Sequence, residues 1–241
     1  MIALRSLAAA VVFMGGLLSS GCYGLPNTFT KGSGTLITQS FDIADFDGVS
    51  ASHAFNVVIT QGDAFSVHVT VDDNVVDLLT VENQDGTLVI ALESGAYNNV
   101  TERAEITMPM LGGVKVSGAA TATLEGFAGG MAFQGVASGA SRITGDMSAA
   151  RTVLDIAGAS EVTLRGESDT LDAKASGASK LNLGELVVRS ATLDLSGASF
   201  ALVNASEEID ATAGGASHVE YIGNPATIRQ DTSGASSVAQ H

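Results

Sequence analysis

Ser176-Gly177-Ala178-Ser179 is one copy of a four-residue phrase that punctuates the C-terminal half of the chain. The other copies are Ser117-Gly118-Ala119-Ala120, Ser138-Gly139-Ala140-Ser141, Ala157-Gly158-Ala159-Ser160, Ser196-Gly197-Ala198-Ser199, Gly214-Gly215-Ala216-Ser217 and Ser233-Gly234-Ala235-Ser236. Their central glycines fall 21, 19, 19, 20, 18 and 19 residues apart. A near-fixed period of this size means stacked supersecondary units, each covering the apolar edge of the next, rather than one globular core.

Aligning the copies on the glycine shows what each unit contains. Two and four residues beyond the phrase stand mostly apolar pairs, such as Val162 with Leu164 and Leu181 with Leu183, separated by Thr163 and Asn182. Ahead of the glycine the pattern recurs, as in Leu154 with Ile156 and Leu193 with Leu195. Alternation of this kind gives a strand one inward and one outward face. A second glycine often closes the unit, at Gly126, Gly145, Gly166, Gly184 and Gly223. Two short strands and two turns per period predict an all-β fold, a right-handed, single-stranded parallel β-helix with rungs of about 19 residues. At one strand spacing per rung, six intervals span roughly 29 Å.

The phrase itself suits a corner. Glycine takes positive φ without steric cost, and alanine beside it lets rungs approach closely. The following serines, Ser141, Ser160, Ser179, Ser199, Ser217 and Ser236, are expected to bond to their own turn or to the serine one rung above. The alternative is an exposed hydroxyl stripe facing sugar or ice.

Residues 34–110 are strand-rich but do not show the period. Phe55, Val57 and Ile59 alternate with polar or smaller neighbours, Gln61-Gly62-Asp63 is a turn, and Phe65, Val67, Val69 and Val71 resume the alternation. Asp72 to Leu79 breaks it with what reads as a single helical turn. Residues 23–33 read as a tether, giving a folded part of 34–241 with a strand-rich lead-in at 34–110 and the repeats at 111–241.

The N-terminus carries an address. Arg5, an uncharged run from Leu7 to Leu18 and small residues at 19–21 form an export signal over 1–21, too short for a membrane span of about 20 apolar residues. Cys22 follows directly and is the only cysteine, so no disulfide framework exists. The stretch resembles a bacterial lipoprotein signal, with Ser19 where such signals usually place Leu. That resemblance implies lipid attachment at Cys22 and, with Tyr23 rather than Asp next, anchoring in the outer membrane. Ordinary cleavage leaving a free thiol is the alternative. The whole chain carries a formal charge of -15, which repels phosphate backbones and argues against nucleic acid.

The residues propose no reaction. His53, His68, His218 and His241 are scattered, and His218, after Ser217, reads as an exposed strand residue. Asp155, Asp172, Asp194 and Asp210 could form an acidic patch, but their columns interleave Lys174, Thr192, Thr212 and Arg229, the mixing that stability alone favours. No metal-ligand cluster, phosphate loop or dinucleotide motif appears, so no cofactor is expected.

Phe55-Asn56-Val57-Val58-Ile59-Thr60-Gln61-Gly62-Asp63, the stretch from Pro109 to Ala119 and the Gly-Ala-Ser repeats together resemble the head GIN domain family of auto-transporter adhesins of bacterial envelopes. The resemblance covers about residues 41–238. It implies an exported β-helical domain without an agreed reaction. The expectation is a non-enzymatic, lipid-anchored adhesin-like module that presents a rigid surface to carbohydrate or an envelope protein. The alternatives are a polysaccharide lyase or hydrolase and a self-assembling envelope subunit.

Overall fold

The computed structural model describes residues 29–241. The export signal, Cys22 and most of the expected tether lie outside them. Residues 30–33, at the end of the expected tether, belong to the folded part. Thr30–Lys31 already pairs in parallel with Tyr97–Asn98, and the Ser33 N–H donates to Asn74 Oδ1 at 3.0 Å.

The repeats form the predicted column. Arg142–Ile156, Glu161–Ala175, Lys180–Leu195 and Phe200–Ala213 each pair in parallel with the next, and the phrase fills the gap between one strand and its successor. Each long strand bends at the second turn and runs on as the leading strand of the following phrase. The result is a parallel β-helix of about seven turns, with about 19 residues per rung. Inward positions stack in files: Ile143, Val162, Leu181, Ala201 and Val219 are aligned by register and fully buried. Each large aliphatic side chain so buried contributes roughly 1.5–3 kcal/mol.

Gly177 shows why the corner needs glycine. Its φ is +80°, and a Cβ there would lie 2.5 Å from the Gly158 carbonyl oxygen of the rung below. The Ala178 N–H donates to that same oxygen at 2.7 Å, and the pattern repeats up the corner. The serine that follows points inward. Ser141, Ser160, Ser179, Ser199 and Ser217 are buried, so no hydroxyl stripe faces solvent along them. Four of these five, and the half-buried Ser236, donate to the carbonyl three residues back in their own turn, Ser179 Oγ to Ser176 O at 2.7 Å among them. Only Ser141 and Ser160 meet between rungs, at 3.3 Å. A buried hydroxyl needs a partner, and its own turn supplies one at a fixed distance.

The lead-in hides its rungs because the chain does not build them in order. Gly48–Ala51 and Asn56–Gln61 make one rung. The chain then drops below it, and Thr87–Leu92 and Glu102–Met108 pair beneath those two strands. Gly113–Val116 and Thr121–Ala137 return above. The bottom of the column is closed by antiparallel strands: Leu79–Gln84 on Thr87–Leu92, and Ser66–Asp72 on Glu102–Met108, with Leu36–Phe41 outside it. At the other end Thr227–Thr232 and Ser237–Gln240 each pair with a single strand.

The helical turn is the 3-10 helix Asp73–Leu78. Asp72 precedes it without capping it. Its buried carboxylate instead accepts the Gly34 N–H at 2.6 Å and the Thr101 N–H at 2.7 Å, stitching three segments of the lead-in together. The Thr101 bond holds the carboxyl below its ordinary pKa, against burial, with the Gly34 bond adding to it.

Candidate functional site

The corner glycines 118, 139, 158, 177, 197, 215 and 234 and the serines beside them are structural: their polar groups are consumed by the stack. The ladder starts lower than the repeat suggests. His53, at φ +61°, occupies the glycine position of the rung beneath Gly118, and its carbonyl accepts the Ala119 N–H at 2.6 Å. Beneath it the Ala54 N–H finds no carbonyl and donates to Glu102 Oε2 at 2.9 Å. Burial pushes the Glu102 carboxyl up, opposed by that N–H and by His53. His53 also packs edge-on against Tyr97, with 5.8 Å between ring centroids. This cluster ends the ladder, as a cap does.

The outward face after the phrase is polar. Register places Arg142, Glu161, Lys180, Phe200, His218 and Ser237 in one file. Neighbours in it are complementary: Arg142 pairs with Glu161 at 2.8 Å, Lys180 Nζ sits 5.9 Å from the Phe200 ring centroid, and Phe200 stacks on His218. The adjoining file is Thr123, Thr144, Thr163 and Asn182. Between the two files runs an open groove of about 400 Å³, reaching Arg165. The face ahead of the phrase carries the interleaved columns. Asp155, Lys174, Asp194, Thr212 and Asp231 are in register, as are Asp172, Thr192, Asp210 and Arg229, so the four aspartates do not merge into an acidic patch.

The sequence reading missed a constellation around His218. Ser237 Oγ meets His218 Nδ1, His218 Nε2 lies 3.1 Å from Glu220 Oε1, and His241 Nδ1 lies 2.6 Å from Glu220 Oε2. The signal was available, since residues two apart share a strand face and residues 19 apart share a file. Ser237, His218 and Glu220 have the order nucleophile, base and acid. They lie on the open outside of the last rungs, with the His218 and His241 side chains 41% and 58% exposed. Such a setting leaves water in place of the preorganised donors that acyl transfer needs.

One apolar cleft opens among the described residues where the first repeat is longest. It holds about 650 Å³ and is lined by Phe127, Phe133, Met110, Met131, Met147 and Leu111, with Asp47 and Gln61 on its rim. No group of three or more His, Cys, Asp or Glu among the described residues is placed to hold a metal ion. No helix there is long and apolar enough to cross a membrane.

The architecture has solved counterparts. A structure described as a putative adhesin from Bacteroides fragilis superposes with a TM-score of 0.77 at 21% identity, covering 88% of this chain and 100% of its own. A putative adhesin from Parabacteroides merdae gives 0.68 at 18% identity, covering 88% and 99%. A putative lipid binding protein from Parabacteroides distasonis gives 0.65 at 19% identity, again covering 88% and 99%. At these identities the likeness concerns the fold. None of the curated proteins matches the sequence. Residues 45–225 match the family described as "putative auto-transporter adhesin, head GIN domain", and over that span, from the lead-in to the last full rungs, the chain belongs to that family.

Proposed function

We propose that the protein is a non-enzymatic adhesin-like module of the cell envelope, tethered by lipid at Cys22, whose polar face takes up carbohydrate. Membership of an adhesin family supports the envelope setting. The observation that carries the ligand class is the groove between the threonine file and the Arg142–Glu161 file. It offers hydroxyls at one strand spacing, about 4.8 Å, beside paired planar charges. Polyhydroxylated ligands are recognised by such fixed donors and acceptors rather than by deep apolar pockets.

The experiment is a glycan array probed with the protein and with its Thr144→Val and Arg142→Ala variants, both changed on the outer face. Binding lost in the variants supports the reading. An array that stays empty, with calcium present and absent, overturns it in favour of an envelope-protein partner. Anchoring is tested separately, because Cys22→Ser should release the protein from the membrane fraction.

A second reading rests on the ends of the column. Among the described residues, the last rung leaves the outer edges of Thr227–Thr232 and Ser237–Gln240 without a strand neighbour, and unpaired edges template association. Self-assembly through this end predicts a concentration-dependent sedimentation coefficient that an edge proline, Gln230→Pro, would suppress.

A further inference from the structure

The period stretches once. Gly118 to Gly139 takes 21 residues where later intervals take 18 to 20, and the extra length emerges at the second turn. There Gly126 and Gly129 hold φ of +79° and +77° with open space around them, and the register with the next rung shifts on both sides of Phe127. Bulges re-aim side chains and gather next to binding sites. This one turns Phe127 inward, onto a floor shared with Phe133 and Met147, all three buried. Met110 and Met131 stand at the mouth instead, 70% and 87% exposed, the two most exposed large apolar side chains among the described residues.

We propose that this cleft binds a single-chain amphiphile, its hydrocarbon tail laid on the phenylalanine floor and its cationic head at Asp47. The cleft's volume of about 650 Å³ is that of a ligand site, which runs about 300–1,000 Å³. Flexible thioethers at the mouth adapt to an unbranched chain and gain from being covered by it. The charge of the head follows from the rim. Asp47 is exposed and makes no ion pair among the described residues, while no Lys or Arg lines the cleft. An ammonium group is attracted there, and a carboxylate or phosphate is repelled. Gln61 is not available to the head group. Its Oε1 accepts the Ala128 N–H at 3.3 Å and its Nε2 donates to Pro109 O at 3.1 Å, so it ties the bulged stretch around Phe127 to the segment before Met110 as a positioning residue.

The site is separate from the polar groove, and the two stand or fall independently. The test is isothermal titration of the full chain with dodecyltrimethylammonium, dodecyl maltoside and laurate, each below its critical micelle concentration. Saturable one-to-one binding is expected, strongest for the ammonium, weaker for the maltoside and at least tenfold weaker for laurate. Met110→Gln with Met131→Gln changes only exposed side chains and should lower ammonium affinity tenfold or more with an unchanged melt. Asp47→Asn should erase the preference for ammonium over laurate while leaving the maltoside bound. Ile228→Gln, at the far end of the column, should change nothing. Non-saturating heats, equal binding by the double methionine variant, or laurate binding as tightly as the ammonium would each overturn the proposal.

Discussion

Replacing Gly177 by alanine separates two costs that the corner imposes. A non-glycine residue at φ +80° loses roughly 1–2 kcal/mol from the left-handed backbone alone. The new Cβ would also lie 2.5 Å from the Gly158 carbonyl oxygen, closer than such contacts occur, so the two rungs must part. Parting them weakens the Ala178 N–H bond to Gly158, now 2.7 Å, at a further cost of about 0.5–1.5 kcal/mol. The total is roughly 1.5–3.5 kcal/mol. At about 2–4 °C per kcal/mol for a chain of this size, the melting temperature should fall by about 3–14 °C. Gly34→Ala is the matched control. Its φ is +84°, but nothing lies within 4 Å of its Cβ, so it should incur the backbone cost only. Calorimetric melts of the two variants decide the matter, and urea midpoints check them. A Gly177→Ala melt no lower than that of Gly34→Ala would refute the view that close stacking, rather than backbone angle alone, selects glycine at the corner.

Two other perturbations probe single groups. Ser179→Ala removes a buried hydroxyl bonded within its own turn and should cost about 1 kcal/mol by urea titration, with no effect on any ligand, whereas an outward stripe would predict the reverse. Asp72 has a folded-state pKa below its ordinary value of 3.8, so its stabilisation is present above that value and drains away as pH falls through the folded pKa. The stability gap between wild type and Asp72→Asn should therefore be widest near pH 7 and narrow below about pH 4, and a gap that stays constant down to pH 2 would contradict this.

Much of this molecule is legible in its sequence because a repeat aligns itself. Once the glycines are superposed, Asp155, Lys174, Asp194, Thr212 and Asp231 must share a column, and register places them there. The lead-in resists the same treatment for a topological reason. His53 fills the glycine slot directly beneath Gly118, yet 65 residues separate them, since the chain builds the cap and the lowest rung in between. Alternation reveals that Ser66–Asp72 is a strand but not that it runs antiparallel beneath Glu102–Met108. The direction of the serines was also open, because the alternation assigns faces to the strands and not to the corner. Burial turns them inward, and all but Ser160 bond within their own turn. The apolar cleft left a trace in the one interval of 21 residues, but a longer interval does not tell which side chains it redirects.

The detour in the lead-in bears on how the chain acquires its shape as it emerges. The strands Gly48–Ala51 and Asn56–Gln61 have neighbours above and below only after residues far downstream have arrived, so the first rung must wait for the one made after it. Beyond that point each further rung needs only its predecessor, and about 19 residues add one strand spacing of about 4.8 Å. The lower end is thus a foundation laid once, and everything above it is modular. Length in this architecture is quantised: a whole rung can be gained or lost between two corners without disturbing the foundation, while half a rung would carry the next corner to the wrong side of the column and leave its glycine without a carbonyl beneath it.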